Sequence, residues 1–136
     1  MARWIRYLWA APTTSLGLPF VVVAGLTGGG ARIVTGVVEV HGGGVGWLLR
    51  RAPIAGGAAA LTLGHVVLGV DRDALQRTRA HERVHVRQCE RWGPLFLPAY
   101  GLASLIAWWR GGSAYADNRF EREAYACSDP RLSGPP

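Results

Sequence analysis

The stretch "DRDALQRTRAHERVHVRQCERWGP", residues 71–94, decides how this chain folds. Leu75, Thr78, His81, Glu82, His85, Gln88, Cys89 and Trp92 recur at steps of three and four, which predicts one stripe of an α-helix. Arg77, Arg79, Arg83, Arg87 and Arg91 fall mostly off that stripe. Asp73 followed by Gln76 has the spacing of a capping box, and Asp71 and Asp73 suit the positive end of the helix dipole. Gly93-Pro94 ends the element, because glycine accepts the left-handed cap and proline cannot continue a helix.

On either side of this helix the pattern changes. "ARIVTGVVEVHGG", from Ala31, is β-branched around Gly36 and predicts a strand or hairpin. "ALTLGHVVLGV", residues 60–70, alternates Leu61, Leu63, His65 and Val67 with Thr62, Gly64, Val66 and Leu68, and predicts one further strand. Downstream, "WGPLFLPAYGLASLIAWW", residues 92–109, is an apolar helix closed by Trp108, Trp109 and Arg110. Asn118 suits the cap of a short last helix in "DNRFEREAYACSD", with Glu121 three residues on reaching back. The tail "PRLSGPP" predicts disorder, and 128–136 is set apart as a tail.

Residues 1–31 form a separate apolar segment. No charge occurs from Tyr7 to Ala31, and Arg3 and Arg6 precede the run with Trp4, Tyr7 and Trp9 interleaved. Arginine and aromatics beside an apolar run are what a membrane interface favours. A single anchor or a monotopic attachment to lipid is the leading expectation. A cleaved signal peptide, which would make the protein secreted, and a buried helix are the alternatives.

The 136 residues are enough for one domain, and the 49% apolar content excludes global disorder. The net charge of +6 comes with no nucleic-acid motif, so no nucleic-acid partner is expected. The glycines at 42, 43, 44 and 46 lack a following Lys-Ser/Thr, which excludes a phosphate loop. Cys89 and Cys127 have no metal-knuckle spacing; sequence leaves open whether they pair.

The chemistry lies in "HERVHVRQ", residues 81–88. Residues four apart share a helix face, so His81 and His85 can take two adjacent positions on a tetrahedral Zn2+. Glu82, about 100° round the helix, is placed to take a proton from a zinc-bound water as it attacks a carbonyl. A third protein ligand is needed. Glu123 is the first choice, one turn inside the last helix and followed by the small Ala126; Glu121 is the alternative, already occupied by its capping role. Asp117 and Asp129 are more remote. His65, on the preceding strand, could stabilise an oxyanion, and Tyr115 or Tyr125 could donate a hydrogen bond to a tetrahedral intermediate.

"HERVHVRQ" followed by "EREAYA" resembles the gluzincin clan of HExxH zinc metallopeptidases, in which HExxH lies on one helix and a Glu ligand on a later one. The matching later stretch is Glu123-Ala124-Tyr125-Ala126, and the resemblance spans about residues 60–127. The longer form HExxHxxQ, with Gln88, is similar to small bacterial proteins of this kind. The resemblance implies His81, His85 and Glu123 as zinc ligands and Glu82 as general base. It also implies that the strand "LTLGHVVLG" holds peptide by β-addition. Where the clan often has Asp, as a partner for a ligand histidine, this chain has Cys127; Asp129 is the candidate substitute.

The expected fold is α+β: an N-terminal apolar helix, a small sheet or hairpin, a zincin-like active-site helix, an apolar helix and a short C-terminal helix carrying a Glu ligand. The zincin-like domain covers 32–127. The expected function is a small membrane-associated zinc metallopeptidase, a hydrolase acting on peptide or protein substrates. The alternative is a non-catalytic, zinc-stabilised interaction protein at the membrane.

Overall fold

A computed structural model describes residues 2–52 and 58–128. The architecture is α+β, as the sequence predicts. In chain order it comprises α1 (Arg3–Leu26), β1 (Gly30–Val34), β2 (Val37–His41), α2 (Gly43–Arg50), β3 (Ala60–Leu63), β4 (Val66–Gly69), α3 (Arg72–Trp92), a 3-10 turn (Gly93–Leu95), α4 (Phe96–Trp109) and α5 (Arg119–Ser128).

The four strands form one mixed sheet in the order β1-β2-β4-β3, with β2 and β4 parallel and the outer pairs antiparallel. The β1–β2 hairpin turns at Thr35 and Gly36, both at positive φ, as a tight two-residue connection requires. Residues 60–70 are not one strand. Gly64, at φ +64, starts a turn that folds the segment into the β3–β4 hairpin and leaves His65 at the bend. β3 thereby becomes an edge strand.

Alternation along the strands separates two faces. Val40, Val66 and Leu68 pack with Ala24 of α1 and with Val45 and Leu49 of α2. Val37 and Val67 pack with Leu75 and Val86 of α3. Glu39 also points to α3, where Arg79 grips its carboxylate with two hydrogen bonds of 2.9 Å and Arg83 adds a contact at 3.4 Å. The Glu39 side chain is 1% exposed. The hydrogen bond from Arg79 is the main cause that holds its carboxyl below the usual range, against the effect of burial. Arg83 also donates to the Val34 carbonyl, so this buried charge cluster ties α3 to the first hairpin.

α1 is part of the domain's packing. Its buried positions, Ala10, Thr13, Gly17 and Ala24, are all small and lie on one side. At Gly17 an added Cβ would lie 2.7 Å from Val66 Cβ, so the helix approaches β4 backbone-close. Tyr7 donates to the Gly36 carbonyl, and Thr13 and Trp9 donate to the carbonyls of Gly93 and Arg91. The helix runs through Pro12 and Pro19. Both prolines are exposed, as are Leu8 and Ser15, whose carbonyls lose their partners four residues on. Those carbonyls therefore open outward. Trp4, Leu8, Leu16, Val22 and Leu26 are exposed on the same helix.

α3 matches the predicted stripe closely, with one correction at its start. Asp71, rather than Asp73, is the N-cap and accepts the Ala74 N–H at 2.7 Å. Asp73 lies in the first turn, where its charge still suits the dipole. Gly93, at φ +58, ends the helix. Asn118 does begin α5: its Oδ1 accepts the Phe120 N–H while its amide donates to the Tyr100 carbonyl and Ser104 Oγ of α4. Glu121 takes no part in that cap; its carboxylate turns toward α3. Cys89 is buried and Cys127 exposed, and both are free thiols; burial pushes the Cys89 thiol up to about 12.

Candidate metal centre

His81 and His85 lie one turn apart on α3, and Glu121 of α5 faces them. His81 Nε2 is 3.0 Å from Glu121 Oε2, His85 Nε2 is 3.1 Å from Glu121 Oε1, and the two Nε2 atoms are 3.2 Å apart. Bonds of about 2.0–2.1 Å to a tetrahedral ion would set neighbouring ligand atoms about 3.3–3.4 Å apart. Each histidine meets a different oxygen of Glu121, and one ligand atom from each of the three residues lies within 4.8 Å of the other two, so the three could hold a shared ion; all three residues are largely buried.

Proton bookkeeping at these atoms points the same way. Gln88 donates its amide to the Phe120 carbonyl (3.1 Å) and to Glu123 Oε2 (2.8 Å), both pure acceptors. Its Oε1 therefore faces His85 Nδ1 at 2.8 Å and accepts Nδ1–H. A neutral His85 then carries a bare lone pair on Nε2, directed at a carboxylate oxygen and a second imidazole nitrogen. Only a proton or a metal cation makes that arrangement attractive. Burial opposes the charged form of His85, but the Glu121 carboxylate, then Glu82 and Gln88, outweigh it and raise its pKa. At Glu121 burial is likewise outweighed, by hydrogen bonds from His81, His85 and Tyr100, and its carboxyl sits at about 2. The donor set fits a divalent cation of the kind that accepts imidazole and carboxylate together.

The carboxylate that faces the two histidines is Glu121, not Glu123. Adjacent positions on a helix differ by about 100°, so residues two apart face nearly opposite ways. With Glu121 turned to the histidines, Glu123 reaches Gln88 and lies 3.6 Å from Arg91 at the surface. Among the described residues, Glu123 is linked to His85 only through the hydrogen bonds of Gln88. Tyr100, inside the apolar α4, donates to Glu121 Oε1 at 2.7 Å. Sequence reasoning missed Tyr100; its signal is a phenol on a helix whose one other hydroxyl is Ser104.

Glu82 is buried beside this cluster. Thr62 of β3 donates to Glu82 Oε2 at 2.6 Å. Burial pushes the Glu82 carboxyl up, against the Thr62 hydroxyl and the two histidines. Thr62 was also missed; it is the one hydroxyl among the four residues of β3.

Of the other candidates, only Tyr125 touches this centre directly among the described residues. His65 does not reach this centre: its Nε2 pairs with Glu90 at 2.9 Å, and its ring stacks on Tyr7 with centroids 4.0 Å apart. The β3–β4 turn carries it toward α1, so it is no oxyanion donor here. Tyr125 lies against His81, ring centroids 4.4 Å apart, and its hydroxyl is 3.3 Å from that of Tyr115. Asp117 accepts the Ser113 N–H in the turn before α5. Asp129 lies outside the described residues, and His81 Nδ1 has no partner among those described.

Compared with protein-family models, with curated proteins and with solved structures, the chain matches none.

Proposed function

We propose that this chain is a small, membrane-associated zinc metallopeptidase of the gluzincin type, with His81, His85 and Glu121 holding the metal and Glu82 as general base. The observation that carries the reading is the convergence of two imidazole nitrogens and one carboxylate within hydrogen-bond distances, with Glu82 on the next residue. Zinc bound there would supply a Lewis acid and bring the pKa of its water toward about 7.

The chain's own residues supply the rest. Gln88 fixes the His85 tautomer with Nε2 free, and Tyr100 orients Glu121. Glu82 takes a proton from the attacking water and passes it to the leaving amine; Thr62 holds its carboxylate in position. Tyr125, half-exposed against His81, is a phenol placed to donate to the oxygen that gains charge, since the Tyr100 hydroxyl is engaged by Glu121. β3 is an edge strand whose Thr62 touches the base, so an extended peptide added along that edge would pass the centre.

The membrane part rests on surface chemistry. α1 is long and apolar enough to serve as an anchor or signal sequence. Its packed side contacts β4 and the end of α3, so attachment with the helix lying against the domain fits better than a crossing. Removal of α1 would uncover Val40, Val66 and Leu68, which argues against cleavage. Leu102, Leu105, Trp108 and Trp109 of α4 add further exposed apolar surface.

The test compares wild type with Glu82→Gln. The purified full chain should carry one zinc in both forms, and a library of unstructured peptides, read by mass spectrometry, should be cut by wild type about 10²–10⁴ times faster. Equal cleavage by both forms, or a wild type that binds no metal, ends the proposal. Zinc in both forms with no cleavage by either would support the non-catalytic, zinc-stabilised interaction protein.

A further inference from the structure

A groove of about 730 Å³, the size of a small-molecule site, lies between α4 and α5. None of His81, Glu82, His85 or Glu121 lines it. Leu102 and Ile106 form an apolar wall, and Trp92 and Phe120 close its inner side. Leu102 is 58% exposed, so the wall is open to whatever enters.

The same groove is lined by Arg110, Arg119 and Arg122. Among the described residues, none of these three forms an ion pair. The one carboxylate in the lining, Asp117, is engaged by the Ser113 N–H. An apolar trough beside three guanidinium groups and a single carboxylate, a net positive lining, is complementary to a molecule with a hydrocarbon chain and an anionic oxyacid head. Trp108 and Trp109 are exposed at the end of α4, and indole rings are favoured in a lipid headgroup region.

We propose that this groove binds a single anionic phospholipid from the bilayer, its acyl chain against Leu102 and Ile106 and its phosphate among Arg110, Arg119 and Arg122. The inference deepens the membrane-associated reading and names its partner, but it uses a surface separate from the metal centre. Phe120 forms part of both: it lines the groove and stacks on Tyr100, which holds Glu121.

The probe is monomeric dihexanoylphosphatidylglycerol, below its micelle concentration, titrated calorimetrically into the full chain. Saturable one-to-one binding is expected. Arg119→Ala/Arg122→Ala should weaken it by about tenfold or more, since each basic group at a lipid surface contributes about fivefold. Leu102→Asp should also weaken it. Arg77→Ala/Arg87→Ala, exposed on α3, should leave it unchanged. Circular dichroism confirms that each variant is folded, and Arg110→Ala replaces the pair if they are not. Absence of saturable binding, equally tight binding of dihexanoylphosphatidylcholine or of inorganic phosphate, or an equal loss in the α3 pair overturns the proposal. The readout needs neither metal nor peptide cleavage, so its failure is distinct from failure of the metallopeptidase reading.

Discussion

Glu121→Ala should release zinc from this protein, whereas Glu123→Ala should leave it bound. Glu121 contributes an oxygen toward each histidine at 3.0 and 3.1 Å, so its loss leaves two imidazoles and no anionic ligand. A loss of more than about a hundredfold in zinc affinity is expected, above the 10–100-fold typical of a partner that only orients a ligand. Gln88→Ala should fall within that lower range. It strands the buried Nδ1–H of His85, and a stranded buried donor costs about 1–3 kcal/mol. Glu123→Ala should cost less than about tenfold, because Gln88 keeps the Phe120 carbonyl and Glu123 is 40% exposed. Competition with a chromophoric chelator measures all three, with circular dichroism as the check on folding. Equal weakening of zinc binding by Glu123→Ala and Glu121→Ala would refute Glu121 as the third ligand.

Three further outcomes test the fold. Glu39→Gln breaks the buried cluster with Arg79 and Arg83 and should cost about 3–5 kcal/mol in urea denaturation. Because the Glu39 carboxyl is held below its ordinary 4.5, its contribution is fully present above that pH and is lost as pH falls through the lowered folded value; the gap between wild type and Glu39→Gln should close in acid. Gly17→Leu should destabilise by about 1–3 kcal/mol or more, since even a Cβ there meets Val66; an unchanged melting temperature would mean that α1 does not pack on β4. A thiol reagent at pH 8 should label only Cys127 in the native chain and both cysteines after denaturation, since burial keeps Cys89 protonated; prompt native labelling of Cys127→Ser would contradict that.

What could be read in advance was local. The stripe from Leu75 to Trp92 and the Gly93 stop define α3, and the four-residue spacing places His81 beside His85 before any tertiary contact is known. The hairpin in 60–70 was hidden because alternation runs unbroken through Gly64 and His65; only the left-handed backbone at Gly64 marks the turn. The choice between Glu121 and Glu123 depends on the rotational phase of a ten-residue helix. That phase is set by Asn118, whose amide is bonded to α4 some 14 and 18 residues away, a contact that local pattern does not encode. The packed face of α1 was obscured for another reason. Small residues at 10, 13, 17 and 24 do not stand out in a helix that is apolar all round, yet they are what allows close approach.

Zinc K-edge X-ray absorption on the purified full chain reads the donor set of the proposed site itself. The expected result is one zinc per chain, coordinated by two imidazole nitrogens and carboxylate oxygen, with the carboxylate contribution lost in Glu121→Ala and kept in Glu123→Ala. A chain that holds no zinc, a sulfur scatterer from Cys89 or Cys127, or a coordination shell unchanged by Glu121→Ala would contradict it.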